Sequence, residues 1–130
     1  MELTDDEFDR LISRAMDELP QEYITGLDNV AILYADDPDE HQREKSHLHS
    51  GSLLLGLYEG IPLTKRGMGY SFVLPDKITL FKNPILAVSR SPEDLFEQIK
   101  RTLWHEIAHF YGLDHDRIDA LEEKSARLKE

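Results

Sequence analysis

The sequence predicts an α+β domain in which a small mixed sheet of three to four strands packs against amphipathic helices. Three observations predict it. Segments with apolar residues at helical spacing lie near both ends of the 130-residue chain. Short apolar runs of strand length lie between them. Glycine and proline punctuate the boundaries, and no internal repeat divides the chain. The length suits one domain over residues 1–130, with a core large enough to fold alone.

The elements follow in order. Thr4 is an N-cap, Glu7 completes a capping box, and Leu3 can staple onto Phe8. Phe8, Leu11, Ile12, Ala15, Met16 and Leu19 then recur along one helical face, and Pro20 stops the helix. Asn29 to Tyr34 is a nearly continuous apolar run, as expected of a strand buried on both faces. Asp36 to Ser50 is charged and rich in turn formers, so it reads as a long exposed loop. His41, His47 and His49 lie in that loop; a solvated loop explains them more simply than a second metal site. Leu53 to Tyr58 is a second strand, near the sheet edge. Gly60 to Ser71 holds four turn-forming residues, and Arg66 to Tyr70 reads as a surface loop or a flexible lip. Lys77 to Phe81 is a third strand with Ile78 and Leu80 facing one way, and Pro84 to Val88 forms a short helical turn.

A long helix then opens at Ser91-Pro92-Glu93-Asp94: serine at the N-cap, proline at the first position, acids in the first turn. Leu95, Ile99, Leu103 and Ile107 form its core stripe. Gln98, Thr102, His105 and His109 form another stripe. Asp116 to Lys129 predicts a C-terminal amphipathic helix with Ile118, Leu121 and Leu128 inward.

The second stripe of the long helix ends in His105-Glu106-Ile107-Ala108-His109-Phe110-Tyr111-Gly112-Leu113-Asp114-His115. His105 and His109 share a helix face one turn apart. Gly112 can end the helix in a left-handed conformation, after which His115 can return a third nitrogen. Three protein ligands leave a fourth zinc position for water, the arrangement of a catalytic site. Glu106 is then the candidate general base. H-E-x-x-H alone arises by chance in roughly one such sequence in forty. With the glycine and the third histidine the chance falls to roughly one in ten thousand.

H-E-x-x-H-x-x-G-x-x-H is the metzincin pattern of zinc peptidases. Beyond it, Asn29 to Tyr34, Leu54 to Leu63, Leu74 to Phe81 and Arg101 to Leu113 make the chain resemble the small bacterial zincin-like metallopeptidase family. That resemblance implies a minimal zincin fold, one catalytic Zn2+ on His105, His109 and His115, Glu106 as base, and a peptide or protein substrate. It also nominates Leu53 to Tyr58 as the edge strand beside which a peptide lies. The chain departs from the metzincin pattern in having no methionine after His115. In the small family an aspartate often stands at the third ligand position, and here Asp114 and Asp116 flank His115. Either aspartate can fix the other ring nitrogen of a histidine or cap a helix. Tyr58 and Tyr70 are candidate oxyanion partners.

Composition narrows the function. The chain has no cysteine, so a transition metal must use nitrogen and oxygen ligands. It carries 26 acidic and 15 basic residues, a net charge of −11, which repels phosphate backbones and makes nucleic acid a poor partner. The apolar runs are too short to span a membrane and the acidic start is unlike a signal peptide, so a cytoplasmic location is expected. Two alternatives stay open. A bacterial ribosomal-RNA maturation endoribonuclease family spaces three histidines the same way, although glycine typically follows its first histidine where Glu106 stands here. The other is a zincin scaffold that binds a protein partner without turnover.

Overall fold

The computed structural model describes residues 2–46, 53–62 and 75–113. The first helix, α1 (Asp5–Glu18), begins where its capping box places it. The Thr4 side chain accepts from the Glu7 N–H, and the Glu7 carboxylate accepts from the Thr4 N–H. Phe8, Ile12 and Ala15 are buried, on the stripe expected from the sequence. Pro20 ends α1 but does not leave the chain extended. It stands at the N-cap of a short helix, α2 (Gln21–Thr25), that the apolar pattern does not announce. The Gln21 side-chain amide sits within 3.0 Å of the carbonyls of Met16, Asp17 and Leu19, satisfying acceptors that the end of α1 leaves open.

The remaining elements are β1 (Val30–Ala35), α3 (Glu40–Lys45), β2 (Gly56–Glu59), β3 (Asp76–Phe81), α4 (Lys82–Val88) and α5 (Pro92–Tyr111). The sheet has the order β1-β3-β2. β1 runs parallel to β3, with Ile32 opposite Ile78, and β2 runs antiparallel to it, with Tyr58 opposite Ile78. The fold is therefore α+β with a mixed sheet, as expected. The central strand β3 carries the fully buried Ile78, Leu80 and Phe81.

Three sequence expectations are corrected. β1 is not buried on both faces: Leu33 and Tyr34 are exposed, because β1 is an outer strand of the described sheet. β2 starts at Gly56, not Leu53. The stretch from Asp36 is not loop throughout, because α3 forms within it. Asp39 accepts from the Gln42 N–H at 2.7 Å while the Gln42 side chain accepts from the Asp39 N–H at 3.0 Å. That capping box was written in the sequence, but no apolar periodicity followed it to mark a helix. His41 lies on α3 and is exposed; His47 and His49 fall outside the described residues.

The helix α5 organises the core. Ser91 caps it, accepting from the Asp94 N–H at 3.0 Å, and Pro92 occupies its first turn. Leu95, Ile99, Leu103 and Ile107 are buried as expected, but so are Phe96, Trp104, Ala108 and Phe110. The helix is covered on more than one side because it packs against α1, α4, β2 and β3. Lys100, nearly buried on α5, reaches Glu18 of α1 at 3.5 Å and Glu97 at 3.4 Å. The predicted C-terminal helix and the Arg66 to Tyr70 loop lie outside the described residues. Among the described residues no helix is long and apolar enough to cross a membrane.

Candidate active site

His105, Glu106 and His109 stand together on the last two turns of α5. The histidine spacing puts the two imidazole centroids 5.1 Å apart, with the planes at 79°. Two imidazoles bound through one nitrogen each to a tetrahedral zinc, at about 2.0–2.1 Å, hold their centroids about 5 Å apart. The pair thus has the separation that a shared ion needs. Nitrogen donors suit zinc, and the chain has no thiolate to compete.

Immediately after His109 the helix stops. Gly112 adopts φ 74°, the left-handed conformation expected of it, and its N–H donates to the His109 carbonyl. The Leu113 N–H donates to the Ala108 carbonyl, completing the C-terminal cap and turning the chain sharply. Asp114, His115 and Asp116 lie just beyond, outside the described residues. Among the described residues no group of three or more metal-binding side chains is assembled.

Glu106 is turned toward the sheet and is only 7% exposed. Its Oε1 accepts the backbone N–H of Tyr58 on β2 at 3.0 Å and lies 3.1 Å from His109 Nδ1. The register of β2 explains the first contact. The Phe81 N–H donates to the Leu55 carbonyl, so Leu55, Leu57 and Glu59 direct their main-chain groups at β3. Gly56 and Tyr58, at the alternate positions, direct theirs away from it, and there the glutamate on α5 meets the strand.

These two contacts hold a buried carboxylate in place, as burial of a charge requires. A proton on His109 Nδ1 would be donated to Glu106 and leave Nε2 with its lone pair for a metal. The same hydrogen bond raises the His109 pKa above the ordinary histidine value; burial opposes the rise and the negative charge of Glu106 adds to it. Both contacts use Oε1, and Oε2 carries no hydrogen bond to a described residue.

A cavity of ≈ 260 Å³ opens beside this group. One wall is Leu53 to Gly56; the other is a stripe of α5 made by Gln98, Arg101, Thr102, His105 and Glu106, of which Arg101 is exposed and Thr102 and Glu106 are buried. The two walls approach closely at Gly56, where a Cβ would lie 2.7 Å from Thr102 Cγ2 and 3.2 Å from Leu80 Cδ2. Thr102 is buried and branched, so it cannot swing aside cheaply. Gly56→Ala is expected to lift β2 from α5 and cost about 1–3 kcal/mol of stability, checked by denaturant unfolding.

Of the two tyrosines considered as oxyanion partners, Tyr58 has its hydroxyl committed elsewhere, donating to the buried Asp76 Oδ2 at 2.6 Å. Tyr70 lies outside the described residues. The sequence reading did not find the part Tyr58 does play, because a backbone donor has no residue-type signature. Nor did it single out Asp76, whose carboxylate fills the space over Gly60.

The sequence profile of zincin-like metallopeptidases matches residues 27–125, most of the chain. The chain belongs to the zincin-like metallopeptidase family. This zincin-like chain is also similar to a solved structure, a conserved hypothetical protein from Thermo thermophilus. The TM-score is 0.52 at 24% identity, covering 93% of this chain and 99% of that one, and the likeness is one of fold. A search of curated proteins finds no match. Membership implies zinc binding as a general property of the family.

Proposed function

We propose that this zincin-like chain is a zinc-dependent hydrolase of peptide bonds, with His105, His109 and His115 as ligands and Glu106 as general base. The observation that supports it best is the placement of Glu106, a buried carboxylate anchored through one oxygen to the strand and to a histidine. Held through Oε1 in this way, the carboxylate can take a proton at Oε2.

Zinc held there would supply a water acidified toward neutral pH and a Lewis acid for the scissile carbonyl. The residues of the chain do the rest. Glu106 accepts a proton at Oε2 and later hands it to the leaving amine. The Tyr58 N–H keeps the carboxylate from rotating away during that transfer, and Glu106 in turn holds the His109 ring by Nδ1. A peptide extended along the start of β2, where Gly56 turns its main chain away from β3, would bring its carbonyl past Glu106 and His105.

The test is a broad peptide library incubated with the zinc-loaded chain and read by mass spectrometry. Cleavage that stops with a chelator and returns with zinc is the expected result. Zinc-loaded protein that cleaves no peptide would leave a binding scaffold as the better reading.

A further inference from the structure

The geometry points to a carboxylate-binding subsite in the cavity beside His105, with Arg101 as the residue that determines its specificity. The inference rests on the peptide-hydrolase reading for its substrate and goes beyond it in naming which peptides bind.

Arg101 is an exposed arginine on the cavity stripe of α5, one turn before His105. Carboxylates are plentiful in a chain of net charge −11. Lys100 pairs with Glu18 and Glu97, Arg14 with Glu18 and Lys82 with Asp5, while the side chains of Arg10 and Arg90 stay unpaired among the described residues. The Arg101 side chain has no hydrogen bond or ion pair with any described residue. Its fork is therefore available to an outside carboxylate, which it can grip through two parallel N–H donors.

The other walls say what kind of molecule would bring that carboxylate. Leu53 is 51% exposed and lies against the cavity with Leu54 and Leu55, a surface for methylene groups. The Thr102 hydroxyl does not compete, because it donates to the Gln98 carbonyl at 2.7 Å. The four residues from Arg101 to His105 rise about 6 Å along the helix. That is about the reach from a peptide carbonyl across the next α-carbon to an aspartate or glutamate carboxylate. A substrate carbonyl at His105 would thus place the side chain of a flanking acidic residue, or the free carboxylate of a chain end, at Arg101.

The test is equilibrium binding of fluorescent peptides to the zinc-loaded full chain carrying Glu106→Gln, in which turnover is slow enough for binding to be read. Three peptides of one sequence are compared: an internal glutamate with an amidated C-terminus, glutamine in its place with an amidated C-terminus, and the glutamine peptide with a free C-terminus. At least one carboxylate peptide is expected to bind about tenfold more tightly than the neutral one, the advantage shrinking with added salt. Arg101→Ala is expected to erase that advantage, and Arg101→Glu to transfer it to a lysine peptide. Whichever carboxylate peptide gains identifies the source as a side chain or a chain end. Equal binding of all three, or an advantage that survives Arg101→Ala, would overturn the subsite. Arg101 is exposed and has no partner among the described residues, so neither variant threatens the fold. Cleavage by the wild-type chain is measured separately. Selective binding without any cleavage would remove the hydrolase reading and keep the subsite, and cleavage indifferent to Arg101 would do the reverse.

Discussion

Glu106→Gln is expected to keep zinc and to hydrolyse peptides about 10²–10⁴-fold more slowly than the wild type. The amide oxygen of glutamine can still accept the Tyr58 N–H at the position Oε1 now holds, so the strand and helix stay joined. What is lost is the ability to take a proton. Glu106→Ala removes more. It leaves the Tyr58 N–H without its acceptor, at about 1–3 kcal/mol, and frees the His109 ring, which is expected to weaken zinc about 10–100-fold. Measuring kcat and zinc content for both variants therefore separates the proton-transfer role from the positioning role. Wild-type turnover in Glu106→Gln removes the residue from the mechanism. RNA cleavage that persisted in Glu106→Ala and stopped with a chelator would favour the endoribonuclease alternative, against the charge of the surface.

How much of this was legible in the sequence depends on the length scale of each interaction. Caps are local, so Thr4 with Glu7, Ser91 with Asp94, and Gly112 were readable from residue type and spacing alone. The helix stripe of His105 and His109 was readable for the same reason: the period of the helix sets it. Burial in the sheet depends on strand order, which no local pattern encodes. β1 looks like a central strand by composition, yet β3 takes the centre and leaves Leu33 and Tyr34 of β1 exposed. The anchoring of Glu106 lies at the same distance from sequence. Its partner is forty-eight residues away and contributes only a backbone N–H, so nothing in the identity of Tyr58 announced it. Gly56 was the one trace of that approach. A glycine inside a strand signals a close neighbour, here Thr102, but does not name it.

Stripping zinc is expected to lower the melting temperature by on the order of 10 °C, and His115→Ala is expected to abolish the difference between stripped and loaded protein. A ligand that binds only the folded chain stabilises it by about 2.7 kcal/mol at a hundredfold excess over Kd, and each kcal/mol is worth several degrees in a domain of this size. The stripped chain is expected to stay folded, because the buried side of α5, with Ile99, Leu103 and Ile107, owes nothing to a metal. On the proposed ligand set, the gain would come from His115 tying its segment to His105 and His109 through the metal. Two imidazoles from one turn of helix are a weak site by themselves; a third donor would close the chelate. Calorimetry with elemental analysis checks this. His115→Ala that retains full zinc and the full thermal increment would move the third donor to another residue, and the same measurement on Asp114→Ala and Asp116→Ala would then locate it.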